Sequence, residues 1–106
     1  MKAEAFEDSP RALFIVENQQ KLADINFIGK TENIIFDLLG SAQLSRIDGS
    51  VYTLRYDSEK CRLFLFFNQE VSNKRVEYFE LRNDKAELLN SKQALEGCYK
   101  EFNLLN

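Results

Sequence analysis

"GSVYTLRYDSEKCRLFLFF", Gly49 to Phe67, is the stretch that decides the fold. In "VYTLRYD", Tyr52, Leu54 and Tyr56 fall on one side of an extended chain and Val51, Thr53 and Arg55 on the other. That is the period-two alternation of a strand. "DSEK" then turns the chain, and "CRLFLFFN" sets Cys61, Leu63, Leu65 and Phe67 on one face with Phe64 and Phe66 on the other. After the link "QEVSN", "KRVEYFELR" offers Val76 and Tyr78 to one face and Phe79 and Leu81 to the other. Links this short join antiparallel neighbours, because a parallel pair needs a crossover of about a dozen residues or more. The expectation is a three-stranded antiparallel meander over 51–57, 61–68 and 74–83. Its middle strand is apolar on both faces, so the second face needs cover from a helix, another chain or a ligand.

Upstream, "GKTENIIFDLLGS" carries helix signals. Thr31 is a good N-cap, Glu32 suits the positive end of the dipole, and Gly40 stands where a terminating glycine belongs. Ile34, Ile35, Leu38 and Leu39 form one apolar face, so a short helix is predicted over Glu32–Leu39. "SRIDGS" reads as an Asp-Gly turn before the first strand. Still earlier, "RALFIVENQQKLADINF" spaces Leu13, Val16, Leu22 and Ile25 at roughly helical intervals behind Pro10, although "ALFIV" suits a short strand equally. Downstream, "SKQALEGCYKEFNLL" has Ser91 as cap and Leu95, Cys98, Phe102 and Leu105 on one stripe. A helix near Ser91–Asn103 follows, weakened at Gly97 by up to ~1 kcal/mol. The class is therefore α+β: N-terminal helical segments, a three-stranded antiparallel meander and a C-terminal helix in a two-layer sandwich. Residues 1–10 read as a disordered or linker-like start and 11–106 as one domain.

Charge narrows the partners. Lys plus Arg is 14 against 17 Asp plus Glu, a net charge of −3. A phosphate backbone needs a concentrated positive field. The nearest cluster, Lys74-Arg75, sits between Asn73 and Glu77 and reads as a solvated turn. Stacking of bases on Phe64 and Phe66 would also need basic neighbours, but Arg62 and Arg75 lie among Glu59, Glu77 and Glu80. No nucleic-acid partner is expected. No apolar run reaches the ~18–20 residues of a membrane span, and "MKAEAFEDSP" lacks the apolar region of a signal peptide. Any membrane attachment would come through a lipid anchor or signal segment outside these residues; the alternative is a cytoplasmic chain.

Chemistry has few candidates. The chain has no histidine and two cysteines, Cys61 and Cys98, in no C-x-x-C motif. A closed zinc site would need carboxylates to complete it, and a catalytic thiolate would lack its usual base. Asp24, Asp37, Asp48, Asp57, Glu59, Glu77 and Glu80 read as solvated faces and turns. The scattered glycines make no phosphate loop. No catalytic, cofactor-binding or metal residue is expected. For the cysteines two readings remain: two buried thiols in the cytosol, or a disulfide in an oxidising compartment. The bridge is the expectation, joining the start of the middle strand to the stripe of the last helix.

Several features together resemble a known family. Gly29-x-Thr31 precedes the short helix ending Leu39-Gly40, and Gly49 precedes Leu54-x-Tyr56. Then come Cys61-x-Leu63-x-Leu65-x-Phe67 and Arg75-Val76. Their order resembles the small envelope proteins of Gram-negative bacteria related to the SmpA/OmlA outer-membrane lipoproteins, the BamE-like fold. The resemblance spans Gly29 to Cys98 of the 106 residues. Ala42 and Leu54 stand where such proteins usually carry Pro and Trp. It implies a non-catalytic interaction or scaffold module for envelope assembly, in the periplasm or on the inner face of the outer membrane. The alternative is an inhibitor-like or ligand-binding module on the same fold. The partner would be another protein or a second copy of the chain, met through Phe64, Phe66 and Phe79 on the doubly apolar sheet.

Overall fold

The computed structural model describes Gln19 and residues 25–105. The expected linker-like start at 1–10 and the helical spacing of Leu13, Val16 and Leu22 lie outside the described residues. The elements are α1 (Glu32–Leu39), β1 (Leu44–Asp48), β2 (Val51–Asp57), β3 (Cys61–Asn68), β4 (Val76–Asn83) and α2 (Lys92–Glu101).

The sheet is antiparallel throughout in the order β1-β2-β3-β4. The class is α+β as the sequence implies, but the sheet has four strands where three were expected. β1 is the addition. "LSRID" buries neither face, so it carries no alternation of apolar and polar residues. The Asp-Gly signal closes a hairpin instead. Asp48 pairs with Val51 across Gly49-Ser50, and Gly49 takes the φ of 58° that such tight turns demand.

A second departure lies in β4. Phe66 pairs with Tyr78 but Phe67 with Val76, leaving Glu77 as the extra residue of a bulge. The bulge resets the alternation. Val76 therefore joins the core, while Tyr78 faces the opposite side with Phe66.

The core lies between one sheet face and the two helices. Leu54, Tyr56, Leu63, Leu65, Phe67, Val76, Phe79 and Leu81 supply the sheet side. Ile35 of α1, Leu95, Cys98 and Tyr99 of α2, and Phe27 supply the other layer. Phe27 meets Phe79 edge-on at 5.1 Å, a favoured aromatic geometry. Thr31 and Ser91 cap the helices, accepting from the N–H groups of Ile34 and Ala94.

Cys61 and Cys98 form a disulfide, with their Cα atoms 5.8 Å apart. The bond closes a separation of 37 residues, which the chain-entropy account values at roughly 3–4 kcal/mol. One turn farther along α2, Glu101 Oε1 accepts from Ser58 Oγ at 2.5 Å and from the Lys60 N–H at 3.0 Å. Those two bonds, the Ser58 hydroxyl first, hold the exposed Glu101 carboxyl below its ordinary range. The β2–β3 turn is thus fastened to α2 beside the disulfide.

Candidate interaction surface

α1 departs from expectation in what it hides. Ile34, Ile35, Leu38 and Leu39 were expected to share one apolar face, yet only Ile35 is buried, and Leu39 packs partly against the core. Ile34, Phe36 and Leu38 stay 43%, 39% and 45% exposed. The geometry explains it. Ile34 and Phe36 each lie about 100° of arc from Ile35, too far round to reach a sheet touched along one stripe. The helix is tethered at both ends: Tyr52 Oη donates to Glu32 Oε2 at 2.5 Å and Tyr56 Oη to the Gly40 carbonyl at 2.8 Å. Burial and then the bond to Glu32 push the Tyr52 phenol up to about 12, and burial chiefly pushes Tyr56 up to about 12.

The sheet has two edges, and the ladder shows which backbone groups point outward. Ser50 O accepts from Gln69 N, and Ser58 N donates to Cys61 O, so the even residues of β2 bond to β3 and its odd residues to β1. Leu44, Arg46 and Asp48 therefore face β2, and Ser45 and Ile47 of β1 point their N–H and C=O groups away from the sheet. Among the described residues none bonds these groups, and the Ile47 side chain is 58% exposed.

The β4 edge is closed. Val76 donates to Lys30 O at 2.9 Å and accepts from Gly29 N at 2.8 Å. The buried Gln19 amide spans Leu81 like a strand residue, accepting from its N–H at 3.0 Å and donating to its carbonyl at 2.8 Å. Leu89 N also reaches Leu81 O, and Asn83 N reaches Glu87 O.

The second sheet face differs from what its sequence promised. Phe64 and Phe66 stack in parallel, with centroids 6.3 Å apart, and Phe66 lies 5.5 Å from Tyr78. Phe66 is only 7% exposed, and most of the large exposed apolar side chains sit elsewhere, on α1 and β1 among other places, with Val51 on this face. Phe79 cannot join this surface. It is on the core face, 0% exposed, because it pairs with core-facing Leu65 and turns its ring toward Phe27. A cavity of about 460 Å³ opens beside Phe66 and Tyr78, with Val51 in its wall and Glu70 and Glu77 at its polar side.

At the other end of this face stand Arg55, Arg62 and Arg82. Asp57 pairs with Arg55 at 3.1 Å and lies 3.6 Å from Arg62. Glu80 is not the solvated carboxylate its sequence suggests: it is 0% exposed and meets Arg82 Nε at 2.7 Å. Arg82 Nη1 also donates to the Ala86 carbonyl at 2.6 Å, which holds the turn after β4. Among the described residues no group of three or more His, Cys, Asp or Glu is placed to hold a metal ion.

Gln19 and β1 are what sequence reasoning missed. Gln19 lies 62 positions from Leu81, and no local pattern carries such a pairing. Among the described residues, no helix is long and apolar enough to cross a membrane. No family model, curated protein or solved structure matches the chain.

Proposed function

We propose that the chain is a non-catalytic interaction module of the bacterial cell envelope, in the periplasm or at the inner face of the outer membrane. The observation that carries the reading is the exposed apolar surface of α1, with Ile34 and Leu38 on one flank of Ile35 and Phe36 on the other, together with the open backbone groups of β1. Surfaces of this kind serve partners, since a monomer gains nothing by leaving them wet. The Cys61–Cys98 disulfide fits an oxidising compartment. Likeness to the SmpA/OmlA lipoproteins supplies the assembly role.

The test is made in cells expressing the natural gene product, with a photocrosslinking residue at Phe36 and alkylation of free thiols before lysis. The expected result is an envelope-fraction protein whose cysteines resist alkylation and which yields discrete crosslinked products. A control position at exposed Lys92 should yield none. Cytosolic protein with two alkylated thiols, or identical labelling from both positions, overturns the reading.

A second reading, ligand binding, rests on the cavity beside Phe66 and Tyr78. It requires that small apolar ligands shift the NMR signals of Tyr78 and Glu77 while leaving those of α1 unmoved.

A further inference from the structure

We infer that β1 pairs antiparallel with β1 of a second copy, joining the two sheets into one. The inference rests on the interaction-module reading and names its partner as the chain itself. An open edge offers N–H and C=O groups in register for an added strand. Here Ser45 and Ile47 offer them, and the sequence of the edge selects the register.

With Ile47 opposite the partner's Ile47, antiparallel order sets Arg46 opposite the partner's Asp48 and Asp48 opposite the partner's Arg46. Ile47 points its backbone groups outward, so the central pair exchanges both of its hydrogen bonds. Within one copy Arg46 Nε already lies 3.2 Å from Asp48 Oδ2. Pairing therefore alternates the signs of four charges along one face and sets two isoleucines together on the other. Neighbouring registers lack this match. Centring on Arg46 puts two guanidiniums face to face, which destabilises a cross-strand pair. Centring on Ser45 puts Ile47 opposite Gln43 and leaves both charges without a cross-strand partner.

The Ile47-centred register places residue i of one strand and residue 94 minus i of the other on the same face, so both α1 helices lie on one side of the joined sheet. Ile47 belongs to the core-facing side, beside Tyr52, its partner in the ladder. The two isoleucines thus meet on the face of the joined sheet that carries the α1 helices. Five-residue strands bury little area, so the dimer belongs to the weak class, with Kd on the order of 10–100 µM.

Sedimentation equilibrium on the oxidised full chain, from about 10 µM to 1 mM, tests this. A reversible dimer is expected, absent in Ile47→Lys and at least about tenfold weaker in Arg46→Asp. Combining Arg46→Asp with Asp48→Arg in one chain should restore affinity to within about threefold. Mixing the two single variants should give a heterodimer tighter than either homodimer, because every cross-strand pair is then opposite in sign. Thermal midpoints of the variants confirm folding, since Ile47 is exposed and Arg46 and Asp48 are only half-buried. A monomer throughout, or a dimer indifferent to Ile47→Lys, overturns the inference. A double variant as weak as the single one, together with no heterodimer preference, overturns the register. A monomer in solution alongside Phe36 crosslinks to a different protein in cells would sink the self-pairing and leave the interaction-module reading standing.

Discussion

Along β4 the outward backbone groups of Val76, Leu81 and Asn83 are bonded by Lys30, Gly29, Gln19, Leu89 and Glu87, whereas along β1 those of Ser45 and Ile47 meet no described residue. Both are edge strands of one sheet, and both present the same chemistry. The difference lies in what the chain places beside them. At β4, segments from before α1 and before α2 return to the edge, and a side-chain amide bridges where backbone does not. At β1, the hairpin turn and the short link from α1 leave no described segment over. Among the described residues one edge is closed and the other open, and an open edge is a ready template for strand pairing.

The comparison can be broken by mutation. The largest effect belongs to the bond that pins α2 to the sheet: Cys61→Ala with Cys98→Ala should lower unfolding free energy by roughly 3–4 kcal/mol in urea melts. Next comes the seal itself. Gln19→Ala strands the N–H of buried Leu81, and a loss of about 2 kcal/mol is expected. Ser45→Ala on the open edge should change stability by less than about 0.5 kcal/mol. Equal losses at the two positions would erase the distinction.

Smaller effects sharpen it. Ala86 holds φ at 67°, a left-handed conformation, in the turn that brings Leu88 and Leu89 back to the β4 edge. Ala86→Gly should relieve that strain for a net gain of about 0.5 kcal/mol, part of the relief being offset by a freer unfolded chain. Around neutral pH, titration of Tyr52 and Tyr56 should have no effect. Their folded values near 12 exceed the ordinary 10, so their contribution is complete below pH 10 and fades as pH rises toward 12. A spectrophotometric titration should show two phenols ionising in that upper range, with α1 loosening as they do.

Much of this fold could be read from the chain because burial leaves a periodic trace. β2 and β3 occupy the predicted spans since each turns one apolar face to the core, and α1 keeps its predicted ends because Thr31 and Gly40 are local signals. β1 left no trace, having no buried face. The Val76 side could not be foreseen, because a bulge depends on the partner strand rather than on its own sequence. The cysteines were placed correctly as a bridge between strand and helix. Of the surface, Phe64 and Phe66 drew attention through their apolarity, yet exposure is a tertiary property. α1 turned outward Ile34 and Leu38, whose spacing had promised one apolar face with Ile35 and Leu39.

The account turns on one edge being open and the other closed by the chain itself, and amide hydrogen exchange followed by NMR at two concentrations reads both. The Leu81 amide should exchange slowly at every concentration, since Gln19 holds it. The Ile47 amide should exchange freely in dilute solution and slow as the sample approaches about 1 mM, where a weak dimer fills. An Ile47 amide already protected when dilute, or a Leu81 amide exchanging as fast as Ile47, would contradict the account.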